Sequence, residues 1–446
     1  MTGSGRWRRC GRPGPRLPDH SALVTDLYEL TMAASYRRLG MDGVATFELF
    51  VRHLPEARNF LVAAGLDGVL AHLEHLHFEP DELDYLRTLG LFDEDFVASL
   101  ADLRFTGDVW AVPEGEVVFA EEPIVRVTAP LPEAQIVETA LLTTIGFETM
   151  IASKAARIAI ACGSDRTFVD FSGRRDHGAG AAVEAARAAY IGGASATSNV
   201  EAGHRYGLPL SGTMAHSFVL SFPNEHDAFV AYARTFPGRT VLLIDTYDTG
   251  EGARITAAVA NELRAEGIGI DAVRLDSGDL LALSKSVRAI LDDGGAPEVR
   301  ILASNDLDEH RIAELAAAGA PIDGFGVGTM LGTSADAPYL SAVYKLVEDE
   351  TGGKAKRSPG KPSWPGRKQV YRQDDRDVIA LVDHQPTPAG RPLLTQVMAA
   401  GERTGPPEDL ATARQRRADA VTALSPELRS LEKRANYPVE RVGQGS

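Results

Sequence analysis

Six short apolar runs in the 446-residue chain each end in polar residues whose types suit the handling of anions and sugars. Phe168-Val169-Asp170-Phe171 runs into Ser172-Gly173-Arg174-Arg175-Asp176-His177, and Leu210-Ser211-Gly212-Thr213 into Met214-Ala215-His216-Ser217. Val241–Ile244 leads to Asp245-Thr246-Tyr247-Asp248-Thr249-Gly250. Val273-Arg274-Leu275-Asp276 leads to Ser277-Gly278-Asp279, and Ile301-Leu302-Ala303 to Ser304-Asn305-Asp306. The last run enters Gly326-Val327-Gly328-Thr329. Ser, Asp, Asn and Thr favour helix N-caps, which accounts for any one of these clusters. Capping does not account for the two arginines, Arg174 and Arg175, or for the histidines His177 and His216.

Arg174, Arg175 and Arg274 are candidate clamps for phosphate or carboxylate, since guanidinium offers a bidentate fork. Arg274 and Asp276 are two residues apart in an apolar run, so strand geometry sets both side chains on one face. Asp276 and Asp279, with Asp245 and Asp248, suit Mg²⁺ or ribose hydroxyls. Gly326 and Gly328 let backbone N–H groups approach an anion, and Thr329 adds a hydroxyl, as in the phosphate sites of late barrel strands. A dinucleotide fingerprint fits less well. The glycines close the series instead of opening it. His216 has no second His or Cys at zinc spacing. A packed histidine, a nucleophile and a general base all remain open for it.

The elements that must position these residues are legible in the spacing. Apolar runs begin near Thr167, Ala194, Leu210, Thr240, Ala272, Val299 and Gly324, and most precede a helical stretch such as Ala253–Glu266, Leu280–Asp292 or Glu309–Ala318. The last four starts, 240, 272, 299 and 324, keep the pitch of βα units. The expected fold is α/β: an irregular parallel barrel over 131–340, with a doubly wound sheet as the alternative. Ligands gather at the strand exits in both.

Residues 20–130 carry helix signals at Asp26–Arg38 and Leu66–His75. Their β signals lie at Ala45–Val51, Asp108–Val112, Val117–Ala120 and Ile124–Val127, the last three punctuated as in an antiparallel meander. The β pattern returns after 340, at Tyr344–Val347, Gln369–Tyr371, Val378–Val382 and Leu394–Val397. Segments 20–130 and 341–446 therefore read as one discontinuous α/β domain, ending in a charged, peripheral helical tail. Ile136–Ala161 is apolar but interrupted by Glu138, Glu148, Lys154 and Arg157, which marks buried helix and not a membrane span. The loop Lys354–Lys368 reads as a solvated connection, with a mobile lid as the alternative. Residues 1–19, with Arg6, Arg8, Arg9, Arg12 and Arg16, read as a disordered basic extension without an apolar signal core.

Composition narrows the partners. With 46 Lys+Arg against 62 Asp+Glu the formal charge is −16, which disfavours nucleic acid and anionic membranes as partners. Small anions stay possible if basic groups are concentrated in a cleft. The two cysteines, Cys10 and Cys162, are too few for a disulfide framework, so a reducing cytoplasm is the expected compartment.

At these same residues the sequence resembles the nicotinate phosphoribosyltransferases, members of the type II phosphoribosyltransferase family. The resemblance runs over roughly residues 20 to 440. Its most specific pieces are Thr25-Asp26-Leu27-Tyr28-Glu29-Leu30-Thr31-Met32, Phe171-Ser172-Gly173-Arg174-Arg175 and Ser198-Asn199-Val200. Gly212-Thr213-Met214-Ala215-His216-Ser217-Phe218, Arg274-Leu275-Asp276-Ser277-Gly278-Asp279, Ser304-Asn305-Asp306-Leu307-Asp308 and Pro365-Gly366-Arg367-Lys368-Gln369-Val370-Tyr371 continue it. The resemblance implies an irregular α/β barrel joined to a discontinuous α/β domain. It implies transfer of the ribose of 5-phosphoribosyl 1-diphosphate to nicotinate, with ATP hydrolysis and Mg²⁺, in a homodimer with shared active sites.

By that resemblance His216 is the histidine phosphorylated by ATP, and Thr213 helps hold nicotinate. Tyr28, from the partner subunit, and Phe171 sandwich the pyridine ring. Arg174 and Arg274 meet the anionic substrates, Asp276 meets the ribose, and Ser304 and Asn305 line the phosphoribosyl diphosphate. Gly326, Gly328 and Thr329 cradle the 5-phosphate, and Asp245 and Asp279 are the metal candidates. Nicotinamide-using relatives place an Asp near the carboxamide, where Asn199 stands here beside Ser198. Amide and hydroxyl donors suit a carboxylate that an acidic side chain would repel, which favours nicotinate over nicotinamide. Quinolinate would call for a denser basic pocket. An NAD-dependent dehydrogenase and a catalytically dead ligand sensor are rival classes; the presence of His216, Arg274 and Asp276 speaks against the second.

Overall fold

The computed structural model describes residues 21–356, 363–432 and 435–443. The basic extension at 1–19 lies outside these residues, as does the middle of the 354–368 loop.

At the centre is a curled parallel sheet in the order Ala196–Thr197, Thr167–Asp170, Gly324–Val327, Arg300–Ala303, Ala272–Leu275, Val241–Leu243. Six of the seven expected strands are present. The seventh shrinks to a single parallel bridge between Leu210 and Thr197. Pro209 has no N–H to give a ladder, and the five residues after Leu210 adopt no regular structure. Among the described residues the sheet is therefore open between Leu210 and Val241, a half-barrel and not a closed ring.

Phe168, Leu242, Val273, Leu275, Ile301, Ala303, Phe325 and Val327 form its dry interior. Burying each large apolar side chain is worth about 1.5–3 kcal/mol. Helices return the chain between strands: Ala179–Gly192, Glu225–Thr235, Thr249–Arg264, Leu280–Asp293 and Glu309–Ala317. Because the strands are parallel, each of these helices starts at their carboxyl end. Asn224, Asp248, Asp279 and Asp308 cap four of the helices with their side chains. Several of the polar strand exits are thus caps as well as site residues.

The apolar stretch after 136 is one helix of 25 residues, Glu138–Cys162, packed against the half-barrel. Its charges are buried in pairs: Glu148 with Arg187 at 2.6 Å, Lys154 with Glu309 at 2.5 Å, and Arg157 with Glu309 at 2.7 Å. Among the described residues no helix is long and apolar enough to cross a membrane.

The second lobe joins the two parts of the chain that flank the barrel. Its antiparallel sheet runs Gly352–Gly353, Ala342–Asp349, Val44–Val51, Pro123–Pro130, Asp108–Ala111, Thr395–Ala399, Glu402–Arg403. Phe47 and Tyr344 stack across the junction at 4.8 Å. The expected three-strand meander is corrected: Val117–Val118 leaves the sheet to pair with Leu61–Val62. The C-terminal tail is corrected too. Helix Leu410–Ala423 lays Arg414 on the carbonyl of Ala194 in the barrel, and Val439–Val442 adds a parallel strand to Asp377–Leu381. The Val-Glu-Arg-Val alternation carries that strand.

Candidate active site

Four side chains meet at the open mouth of the half-barrel. The guanidinium of Arg274, on strand Ala272–Leu275, donates to Asp276 Oδ1 at 3.3 Å and to Ser304 Oγ at 3.1 Å. Its second amino group donates to the Met214 carbonyl at 3.1 Å, which pins the irregular loop before His216. Ser304 donates to Asp276 Oδ1, closing a three-membered ring across adjacent strands. His216 opens the helix His216–Leu220. Its Nε2 lies 3.9 Å from Asp276 Oδ2, and its Nδ1 hydrogen-bonds with Thr246 Oγ1 at 3.1 Å. The imidazole is thus held from both sides while remaining half-exposed.

Asp245 supports this group from below. Its Oδ2 accepts from Asp276 N at 3.0 Å and Ser277 Oγ at 2.6 Å, while Oδ1 is buried with no partner. Burial pulls the Arg274 guanidinium below its ordinary value; Asp276 and Asp245 act against that, and the nearby charge of Arg174 adds to it. Arg274 and Arg174 thus stand close enough to feel each other's charge, two guanidinium groups of the kind that hold anions by bidentate forks.

A second group lies across the mouth. The Phe171 ring lies over Gly326: a Cβ there would meet the ring at 2.5 Å and Ser304 Cβ at 3.4 Å. Gly326 is therefore required to seat an aromatic ring, a different reason from the phosphate cradle read from sequence. Gly328 opens the short helix Thr329–Gly332 beside the Phe171 carbonyl. Asn199 spends Oδ1 on capping helix Val200–Tyr206 through Ala202 N, at 3.0 Å, which leaves Nδ2 on the side of Gly173. Ser198 is exposed next to it. Asp170, buried beneath, accepts from Ser172 N at 2.9 Å and Thr197 Oγ1 at 2.7 Å, and so fixes both loops. Burial raises the carboxyl of Asp176 to about 6, against a hydrogen bond from Ser172 that lowers it; Asp170 pushes it up and His177 down.

Not every expected residue is brought in. Asp279 is an exposed cap whose Oδ1 accepts from Leu281 N and Ala282 N, so one of its oxygens serves the helix start. Thr213 turns its hydroxyl to the Met214 carbonyl at 3.0 Å. Asn305, exposed at φ 97 beside Asp306 at φ 43, occupies a left-handed turn next to Ser304. Such turns in non-glycine residues store strain and concentrate at functional sites. Tyr28, half-exposed on helix Leu27–Leu39 of the second lobe, sits among Glu138, Glu29 and Asp26. Arg174 and Arg175 are exposed at the rim.

Three contributors escape a reading by residue type: Thr246, Asp170 and Glu225. The first two could have been found as polar residues at strand exits. Glu225 is buried with Oε1 unpartnered, and burial together with the charges of Glu251, Asp245 and Asp248 raises its carboxyl to about 7. Among the described residues no group of three or more His, Cys, Asp or Glu side chains is arranged to hold a metal. A cavity of about 1410 Å³ lined by Glu116, Arg372, Arg416 and Tyr437 contains none of the mouth residues.

The family model of the nicotinate phosphoribosyltransferase N-terminal domain matches residues 23–146. A nicotinate phosphoribosyltransferase of Mycobacterium tuberculosis is 49% identical over 94% of this chain and 91% of its own length. The chain belongs to the nicotinate phosphoribosyltransferase family. A Bacillus subtilis nicotinate phosphoribosyltransferase is 46% identical over 82% of this chain and 77% of its own. Among solved structures, human nicotinic acid phosphoribosyltransferase superposes with a TM-score of 0.84 at 29% identity, covering 94% of this chain and 97% of that one. A Pyrococcus furiosus nicotinate-nucleotide pyrophosphorylase shares the fold, with a TM-score of 0.74 at 24% identity over 90% and 95% of the two chains.

Proposed function

We propose that the mouth of the half-barrel joins nicotinate to 5-phosphoribosyl 1-diphosphate, giving nicotinate mononucleotide and diphosphate in NAD biosynthesis, with coupled ATP hydrolysis. The observation that carries this reading is the ring of Arg274, Asp276 and Ser304 beside a half-exposed His216. It unites an anion clamp, a carboxylate and a nucleophilic imidazole in one cleft.

The geometry suggests a division of labour. Arg274 and Arg174 hold the anionic groups of the phosphoribosyl substrate, and Gly328 and Thr329 receive its 5-phosphate through backbone N–H groups. Asp276 binds the ribose and stabilises the positive charge that develops at the anomeric carbon as diphosphate leaves. Phe171 supplies the face on which the pyridine ring stacks, aligning the ring nitrogen for attack at that carbon. Asn199 Nδ2 and Ser198 offer donors to the nicotinate carboxylate, where an acidic acceptor would repel it. With Nδ1 of His216 engaged by Thr246, Nε2 is the nitrogen left to take the γ-phosphoryl group of ATP while ADP departs.

Mg²⁺ belongs to this chemistry as a counter-ion for diphosphate. The residues fit it: the buried, unpartnered Oδ1 of Asp245 is a hard oxygen donor beside the cleft.

The site reads as shared within a homodimer. Leu27, Tyr28, Leu39 and Met41 are exposed on the second lobe, and Val200, Leu220 and Tyr247 are exposed around the mouth at 70%, 58% and 63%. Two such apolar surfaces suit mutual burial by two copies, which would bring Tyr28 of the partner subunit to Phe171. The two cysteines, Cys10 and Cys162, suit a reducing cytoplasm as the compartment of this reaction.

Competition between the two bases tests the reading. Equimolar nicotinate and nicotinamide should yield nicotinate mononucleotide almost alone, and Asn199→Asp should shift the balance toward the amide. A preference of the unaltered enzyme for nicotinamide overturns the assignment of the acid.

A further inference from the structure

Arg58 lies outside the barrel segment, in the loop between strands Val44–Val51 and Leu61–Val62, yet its side chain is fully buried among groups of that segment. All three guanidinium nitrogens donate. Nε reaches Asp336 Oδ2 at 3.0 Å, and Nη2 reaches Asp336 Oδ1 at 3.1 Å and Ser334 Oγ at 2.6 Å. Nη1 reaches the Met150 carbonyl at 3.0 Å. The fork on Asp336 is bidentate, the arrangement that gives guanidinium its geometric specificity. Lys154 meets the same carboxylate at 2.9 Å and Glu309 at 2.5 Å. Arg157 meets Glu309 at 2.7 Å and returns to the Ala57 carbonyl at 2.7 Å, so the circuit closes beside Arg58 with three cations against two carboxylates. Burial alone would raise the Asp336 carboxyl, but Arg58 and Lys154 hold it well below its ordinary value, and the circuit stays ionised at neutral pH.

What Arg58 holds leads to the mouth. Leu331 N and Gly332 N donate to the Gly328 carbonyl, Thr333 N to that of Thr329, Ser334 N to that of Leu331, and Ala335 N to that of Met330. Residues 328–335 thus form one continuous coil, with Gly328 beside Phe171 at one end and Ser334 in the grip of Arg58 at the other. Ser334 is buried at φ 44, and its Oγ donates to the Ala337 carbonyl at 2.9 Å while accepting from Arg58. A non-glycine residue keeps that conformation only where its surroundings impose it. Stability alone does not call for such a circuit, since apolar residues of the same volume often serve as well as a buried ion pair.

We infer that Arg58 is a positioning residue for the phosphoribosyl substrate: through Ser334 and Asp336 it sets where the Gly328–Thr329 turn stands, and with it the affinity for the 5-phosphate. The guanidinium touches no substrate itself and acts through the coil. This role rests on the function proposed above in one respect, that the turn receives the 5-phosphate; it does not depend on which base is joined to the ribose.

The test is calorimetric binding of two probes to the full chain. Ribose 5-phosphate carries only the 5-phosphate, and inorganic diphosphate with Mg²⁺ stands for only the leaving group. Arg58→Lys keeps the charge and loses the fork. A displaced turn should then weaken ribose 5-phosphate about 10-fold and leave diphosphate within about twofold. Ser334→Ala removes one of the four hydrogen bonds and no charge, should weaken ribose 5-phosphate about threefold, and takes the place of Arg58→Lys if that variant does not fold by circular dichroism. In steady state the deciding variant should raise KM for 5-phosphoribosyl 1-diphosphate and leave KM for nicotinate unchanged. Unchanged ribose 5-phosphate affinity in that variant, or no ribose 5-phosphate binding by the unaltered chain, overturns the inference. Equal weakening of both probes also overturns it, since that is the mark of a structural staple. Absence of nicotinate mononucleotide formation by the unaltered chain, with the contrast between probes intact, would instead count against the proposed function.

Discussion

The imidazole Nε2 of His216 lies 3.9 Å from Asp276 Oδ2, although Asp276 leaves strand Ala272–Leu275 and His216 follows the irregular loop after the Leu210 bridge. Arg274 ties them together, since it holds both the Asp276 carboxylate and the carbonyl of Met214, two residues before His216. The ribose carboxylate and the imidazole are therefore positioned by one guanidinium.

Replacing that guanidinium by an ammonium should uncouple them. Lys cannot reproduce three hydrogen bonds from two planar amino groups. Arg274→Lys is expected to fold normally by circular dichroism and to lose about 100-fold in kcat/KM for 5-phosphoribosyl 1-diphosphate. A loss of less than threefold would show that the fork is not what positions the site.

Gly326 tests the aromatic platform. A methyl group there would meet the Phe171 ring at 2.5 Å, so Gly326→Ala should push the ring into the cleft. Overpacking of this kind costs about 1–3 kcal/mol. The steady-state signature should be a raised KM for nicotinate with a smaller change in the KM for the phosphoribosyl substrate. An equal rise in both would place the effect on the sheet instead of the ring.

Asp176 makes stability depend on pH. Its carboxyl is raised from 3.8 to about 6 in the folded chain, chiefly by burial. Between those values the folded protein keeps a proton that the unfolded chain has released, so stability falls as pH rises through that window and is level above it. Asp176→Asn should remove this component. Relative to the unaltered chain it should gain about 1 kcal/mol from pH 4 to pH 7, solvent screening of a partly exposed group being included. Parallel stability curves in chemical denaturation across that range would contradict the assignment.

Much of the fold was legible because strand spacing and helix periodicity are local properties. The strand starts near 167, 240, 272, 299 and 324 fall within a residue of the observed strands. Leu210 failed as a strand because pairing depends on a neighbour that Pro209 and the following loop do not supply. Val117–Val118 has the alternation of a strand, but its partner, Leu61–Val62, is chosen by packing and not by sequence order. Within the site, Arg274 and Asp276 could be paired from strand geometry, and His216 from the resemblance. The cap role of Asp279 was not read from the sequence, since the same Asp that suits a cation suits a cap. Glu225 carried no signal by residue type: its burial amid the charges of Glu251, Asp245 and Asp248 arises only in the folded chain.

The most direct measurement is nicotinate mononucleotide formation from nicotinate, 5-phosphoribosyl 1-diphosphate and Mg²⁺, with and without ATP, by the unaltered enzyme and His216→Ala. The account predicts that ATP stimulates the unaltered enzyme and leaves the variant at its ATP-independent rate, about 100-fold or more below. Full ATP-stimulated turnover by His216→Ala would contradict it.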